Sequence, residues 1–439
     1  MRIRLLLALV VGMVCAGVPA RVVAQGTTPT EAKALAVAET DHTAYQLPPE
    51  TLAKAQAHSH DTLVMFLLDA VWGILQLWLL LKLGIVARMR DFAAGMAKNR
   101  WMQGLVFLIE FVLVTTILTL PLDMISHHIS VAYGLSVQGW GSWFGDMAKG
   151  LGLLILFGWL ALMIFFWIVR KSPKRWWVWG WMGAMVVTVL AIFVTPVIFD
   201  PMFNKFEPLQ KTNPELVVAL EKVVARGGIE IPPERMFLMK ASAKVTTLNA
   251  YVTGFGASKR VVVWDTSLQK GTTDQISFIF GHEMGHYVLN HIPKTIAFVA
   301  VVLLVVFYLG YLLVQWMLRR YGAGWGIASQ NDWGMLVVFL LVVGVLSFFT
   351  SPIINAYSRG HEHDADVYGQ EAVHGIVADP QTTAQSAFQL LGENGLSNPY
   401  PNALVQFWEG SHPAIGPRAG FARAYNPWAP GEAPKYFKK

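Results

Sequence analysis

The stretch Gly281-His282-Glu283-Met284-Gly285-His286 decides how the rest of the chain is read. On a helix, residues four apart lie one turn from each other and project from the same face. His282 and His286 therefore form a pair able to grip one metal ion, and two imidazoles at that spacing suit Zn²⁺. Glu283 then sits beside the metal's open position, placed to take a proton from water. The flanks favour a helix: Asp274 is a candidate N-cap, and Ile276, Phe278, Ile279 and Phe280 supply an apolar face. Taken alone, the six residues also fit a surface helix with two unrelated histidines.

Outside this stretch the composition is that of a membrane protein. Of 439 residues, 54% are hydrophobic and 14% charged, with a mean hydropathy of +0.45; soluble domains carry about a quarter charged residues. Seventeen tryptophans and 25 phenylalanines suit lipid-facing and interfacial positions. The expected fold class is mainly α and polytopic. The isoelectric point near 9.2 does not call for a nucleic-acid partner, because the excess positive charge falls largely in short loops between apolar segments. Cys15, the only cysteine, excludes a disulfide framework and thiolate metal sites in the body of the chain. Any metal must use histidine and carboxylate.

Arg2 and Arg4 precede an apolar run over 5–18, with small residues at Ala20 and Ala24. Residues 1–24 read either as a cleaved signal peptide or as a first membrane helix. Residues 25–60 read as an external loop with one short amphipathic helix near 51–58. Six apolar segments follow, at about 62–86, 104–121, 151–169, 177–199, 295–318 and 334–350, each roughly long enough for a hydrocarbon core of about 30 Å. The last is the shortest and continues as a helix beyond the bilayer. About seven transmembrane helices are thus expected, counting the first. The domains divide as 1–24, a membrane-helix domain over 25–199, and a zinc-peptidase domain over 200–439 that includes two of the spans.

Arg88, Arg90, Lys98 and Arg100, then Arg170, Lys171, Lys174 and Arg175, then Arg319 and Arg320, mark three basic loops on one side. The positive-inside rule places them in the cytoplasm. The His-Glu-x-x-His helix then faces the periplasm or exterior of a bacterial inner membrane. Trp176, Trp177, Trp179 and Trp181 read as an interfacial belt.

The loop 200–294 reads as a small α/β insertion. Residues 214–226 have helical periodicity and end before Gly227-Gly228. Residues 235–239 form a candidate strand, and 250–253 with 260–264 flank Gly254-Phe255-Gly256 as a hairpin would. Past the last apolar segment lies Ser358-Arg359-Gly360-His361-Glu362-His363-Asp364-Ala365-Asp366. Glu362 and Asp366 share a helix face; Glu362 could be the third ligand and Asp366 could accept a hydrogen bond from a ligating histidine. His361 and His363 are rival ligands, and a solvated charged turn is the plain alternative. Residues from Asn426 onward are Pro- and Lys-rich and read as a tail that is ordered and then frays.

With these residues in view, the chain resembles the type I CAAX prenyl proteases, integral-membrane zinc endopeptidases, and their bacterial relatives. The similarity runs through Phe203-Asn204-Lys205-Phe206-Glu207-Pro208-Leu209, Asn249-Ala250-Tyr251-Val252-Thr253-Gly254-Phe255-Gly256 and Lys259-Arg260-Val261-Val262-Val263-Trp264-Asp265-Thr266. It continues through the His-Glu-x-x-His motif, Ser358-Arg359 with Glu362 and Ala365-Asp366, and Ser411-His412-Pro413 with Arg418. The resemblance implies that His282, His286 and Glu362 bind one zinc ion and that Glu283 is the general base. It implies that Asp366 and Arg418 support the site, that His412 stabilises the oxyanion, and that Asn249 and the edge from Ala250 hold the substrate backbone by strand addition. Read alone, His412 and Asn249 are turn residues. The resemblance further implies a barrel of membrane helices around an aqueous chamber, and a peptide or membrane-protein substrate. Lipid contact and a monomer are also expected. Eukaryotic members carry the site on the cytoplasmic side, whereas the charge bias here points it outward.

Asp69 and Glu110 fall within apolar spans, where a carboxylate calls for an interior cavity or a helix–helix hydrogen bond. The competing function is a non-hydrolytic transporter or scaffold with a structural zinc site, which needs a fourth protein ligand.

Overall fold

The computed structural model describes residues 27–254 and 259–437. The first apolar run, and with it the choice between signal peptide and first membrane helix, lies outside the described residues, as does the tip of the expected hairpin. Among the described residues, six helices are long and apolar enough to cross a membrane: Pro49–Lys82, Arg100–Ala132, Trp140–Lys171, Trp176–Phe203, His291–Tyr321 and Met335–Ala372. Four of them contain an expected segment whole; Pro49–Lys82 ends short of the expected 86, where the helix breaks at Gly84 before the next one, and Met335–Ala372 starts one residue after 334. The Met335–Ala372 helix leaves the apolar stretch without a break, as expected, and carries Glu362 and Asp366 on its polar end.

These helices are packed unevenly. Leu80, Leu81, Phe107, Phe166, Val169, Val314, Trp333 and Met335 form a buried cluster at the end that carries the basic loops. There Arg90 pairs with Asp332 at 2.6 Å, and Arg100 donates to the Asn331 carbonyl at 2.7 Å. Trp176 belongs to this cluster rather than to an interfacial belt: it is wholly buried, edge-on to Phe165, Tyr311 and Phe339. Toward the other end few span residues are buried, and only 6–33% of each apolar window is enclosed by protein. Contacts such as Lys244 with Asp146, and the short bridge between Ser136 and Val245, tie that end to the polar domain.

The polar domain holds a four-stranded sheet of β1 (Phe206–Pro208), β2 (Met236–Met239), β3 (Ala250–Thr253) and β4 (Arg260–Trp264) in the order β1-β2-β4-β3. β2 and β4 are parallel, and β3 pairs antiparallel with β4, Tyr251 opposite Val262. The helix expected over 214–226 is present as Pro214–Arg226, capped by Asn213. Leu216, Leu220, Val261, Val263, Phe278, Phe280, Met284 and Phe388 make the core between sheet and helices.

One terminal expectation is corrected. Residues 25–60 are not one loop with a short helix. Pro29–Thr40 is a helix with a Thr28–Glu31 capping box, and the helix expected near 51–58 is the start of Pro49–Lys82. The ordered part expected of the tail extends through Phe437. Glu371, fully buried, accepts from the backbone N–H groups of Lys435, Tyr436 and Phe437 and from the Tyr425 hydroxyl. Glu31, equally buried, pairs with Lys435 at 2.9 Å. Both ends of the described chain are therefore clasped behind the Met335–Ala372 helix. Their short polar sequences carry little periodicity, so only the tertiary partners reveal the order.

Candidate active site

Three glycines bring the motif helix, Thr273–Val288, against Met335–Ala372. Its N-cap is Thr272 in a capping box with Gln275, not Asp274, which lies in the first turn. A β-carbon on Gly369 would meet the His282 backbone nitrogen at 2.7 Å, and one on Gly281 would meet the Gly369 carbonyl oxygen at 3.2 Å. One on Gly285 would meet the Tyr368 side chain at 3.1 Å. The backbones touch only because these side chains are missing. That approach sets His282 one turn of the partner helix from Asp366.

His282 Nε2 lies 3.2 Å from His286 Nε2 and 3.4 Å from Glu362 Oε2, and His286 Nε2 lies 3.4 Å from Glu362 Oε1. Donor atoms bound at about 2.0–2.2 Å around a tetrahedral Zn²⁺ are roughly 3.3 Å apart. The three separations match that spacing, with each histidine facing a different oxygen of the Glu362 carboxylate. Glu362 Oε2 is buried and accepts no hydrogen bond, as a donor kept for a cation would be. His282, His286 and Glu362 are the one such group among the described residues. The rival histidines are engaged elsewhere: His361 stacks on His291, and His363 lies 3.5 Å from Glu31.

Surrounding groups hold these donors. His282 Nδ1 lies 2.8 Å from Asp366 Oδ1. Arg418, on the helix Ile415–Ala424, grips Asp366 through two hydrogen bonds, Nε to Oδ2 at 2.8 Å and Nη2 to Oδ1 at 2.7 Å. Its Nη2 is also 3.6 Å from Glu362 Oε2, and its guanidinium lies over the Phe388 ring. His412 Nε2 approaches Glu362 Oε2 to 3.3 Å from a loop that follows the short helix Ala403–Trp408. That loop is pinned by Arg359, which donates to the carbonyls of Gln406 and Gly410, and by Asn355, which donates to that of Trp408.

The sequence profile of peptidase family M48 matches residues 210–425, and that of the CAAX prenyl protease N-terminal region, with five membrane helices, matches residues 34–205. A protein of Bacillus subtilis, an uncharacterized metalloprotease named YhfN, is 33% identical over 84% of this chain and 84% of its own length. The chain belongs to peptidase family M48. CAAX prenyl protease 1 of Saccharomyces cerevisiae is 28% identical over 72% of this chain and 71% of its own. The crystal structure of Ste24p from S. mikatae superposes with a TM-score of 0.74 over 90% of this chain and 99% of that one, at 24% identity, which is a likeness of fold. This M48 protein is an integral-membrane metalloprotease with a Ste24p-like fold, and its relatives act on peptide bonds.

The electrostatics of the M48 motif are those of a cation site. Burial works against charge on His282, but the carboxylates of Asp366 and Glu362 outweigh it and push the ring up to about 10. Burial, and then the neighbouring His282 charge, push His286 down to about 4. The donors together call for positive charge at their centre and admit no second proton. Burial pushes the Glu283 carboxyl up to about 7, where it is suited to exchanging protons near neutrality.

Asn249 and Ala250 lie about the start of β3, away from the donor cluster by chain but on the strand at the sheet's edge. The Asn249 carbonyl accepts from Trp264 N–H at 3.1 Å and from Ser267 Oγ, and its own N–H donates to that hydroxyl at 2.9 Å. With Asn249 bonded to β4, the alternation of an antiparallel ladder turns the N–H and C=O of Ala250 and Val252 outward. No described strand pairs with that edge. Asp69 is exposed on its span and Glu110 is half-buried with Oε2 unpartnered.

Two supports had no role in the sequence reading. Arg359 was legible only as part of a motif, with no partner to assign. His291, five residues past His286, lies outside the spacing of the metal motif, and its approach to His286 depends on the left-handed turn at Asn290, φ 57°.

Proposed function

We propose that this chain is a zinc-dependent endopeptidase in which His282, His286 and Glu362 hold the metal. The observation that carries the reading is the 3.2–3.4 Å spacing of His282 Nε2, His286 Nε2 and the two oxygens of the Glu362 carboxylate. Zn²⁺, when bound, supplies Lewis-acid polarisation of the scissile carbonyl and acidifies water. The chain's own residues do the rest. Asp366, clamped by Arg418, fixes the His282 ring. The outward N–H and C=O of Ala250 and Val252 bind an extended substrate by strand addition, with Asn249 anchoring the strand's start. Glu283 takes a proton from the attacking water as its oxygen bonds to the carbonyl carbon. His412 donates to the oxygen on which charge develops. Glu283 then delivers its proton to the amine as the C–N bond breaks.

The remaining expectations are part of the same proposal. Loose packing of the spans at the site's end supports a water-filled chamber, to which Asp69 and Glu110 belong. The charge bias of the loops supports a site facing outward from a bacterial inner membrane. The peptidase unit is taken as 200–439, working as a monomer on peptide or membrane-protein segments amid lipid. A closed structural zinc site needs four protein donors, and the group among the described residues has three.

The test combines metal analysis with turnover. Purified protein is expected to hold one zinc and to cleave a peptide in a chelator-sensitive way. Glu283→Gln is expected to keep the zinc and lose at least about 100-fold in kcat. Cleavage at the wild-type rate by that variant, or by metal-free protein, removes the reading.

A further inference from the structure

The two metal-motif histidines are backed by different chemistry. His282 has the carboxylate of Asp366 at Nδ1. The corresponding nitrogen of His286 faces no carboxylate; it lies 3.1 Å from Nδ1 of His291. His291 is 3% exposed and opens the membrane helix His291–Tyr321. Its ring lies flat on His361, with centroids 4.1 Å apart and planes within 5°. His361 Nδ1 in turn is 3.4 Å from Thr295 Oγ1, on the same helix as His291.

Proton positions follow from these contacts. If His286 Nε2 serves as a donor to the metal it carries no proton, so the ring's proton sits on Nδ1. That N–H can only donate to a bare nitrogen at His291 Nδ1, which leaves His291 neutral with its own proton on Nε2. The geometry points to His291 as the positioning residue of His286. It accepts the Nδ1–H bond that fixes the tautomer and rotation of the ligating ring, and the His361 stack keeps it in place. This rests on the zinc reading above. It also gives a reason for imidazole rather than carboxylate at 291: Glu283, Glu362 and Asp366 already crowd the site, and another buried acid would add charge that only Arg418 and the metal could offset.

The measurement is zinc affinity of the full-length protein in detergent, by competition with a chromophoric chelator, alongside thermal unfolding. His291→Phe keeps a flat ring for the stack but has no acceptor. His291→Asn loses the ring but can place Oδ1 where Nδ1 lay. Partners of this kind are worth about 10–100-fold in metal affinity. The Phe variant is expected to lose about that much and the Asn variant to stay within about threefold of wild type. Equal affinity in wild type and the Phe variant overturns the inference while leaving the zinc reading intact. Equal loss in both variants also overturns it, since packing and not the acceptor would then be what matters. A wild-type protein that binds no zinc overturns both.

Discussion

Arg418→Met isolates the role of charge in holding the donor helix. Met keeps much of the volume and the contact with Phe388 but removes the fork that grips Asp366 at 2.7 and 2.8 Å. Asp366 and Glu362 are then left as two carboxylates, 4% and 6% exposed, with one imidazole between them. Orphaning one partner of a buried pair costs about 3–5 kcal/mol, chiefly the desolvation of the charge left behind. For a domain of this size that is on the order of 10 °C in apparent Tm. Asp366→Asn orphans the guanidinium instead and is expected to cost a similar amount. Arg418→Met with Asp366→Asn removes both charges, so its loss should fall short of the sum of the singles by about 2 kcal/mol or more. Unfolding followed by the fluorescence of the 17 tryptophans, in one detergent with excess chelator, measures stability apart from metal binding. A double variant whose loss equals the sum of the singles refutes the uncompensated-charge account.

His412→Ala should lower kcat by about 10²–10³, the worth of one oxyanion donor, with zinc content unchanged; kcat within about threefold of wild type removes that role. Val252→Pro deletes an outward N–H on the edge of β3 without touching the ladder to β4. It should raise KM about fivefold, the worth of one backbone hydrogen bond, with little change in kcat or Tm, and an unchanged KM argues against strand addition. The N-terminal clasp should open in acid. Burial opposes charge on Glu31, but His363, the Thr28 N–H and Lys435 outweigh it and lower the carboxyl from 4.5 to about 2. A depressed carboxylate contributes its stability fully above the unfolded value and loses it as pH falls from about 4.5 towards 2, here roughly 3 kcal/mol. Pepsin cleavage within 27–48 should therefore rise across that window in wild type but not in Glu31→Gln, where identical profiles sink the prediction.

What the sequence determined by itself was whatever depends on local period and spacing. Length and apolarity give the six described spans, because a helix must satisfy its own backbone in lipid. The i, i+4 pair His282 and His286, with Glu283 between, announces metal chemistry because one helical turn sets their separation. The strands at 250–253 and 260–264 were visible in their short apolar runs. Tertiary structure alone decided which distant groups stand beside that histidine pair. Glu362 was nominated beside His361 and His363, and glycines 281, 285 and 369, by letting two backbones touch, bring its carboxylate rather than those imidazoles to the histidine pair. Arg359 and His291 gained roles only from partners far along the chain or around a left-handed turn. Trp176 changed from belt to core, and Pro29–Thr40 from loop to clasped helix, for the same reason. Burial and charge pairing are properties of neighbours in space, which a one-dimensional pattern does not record.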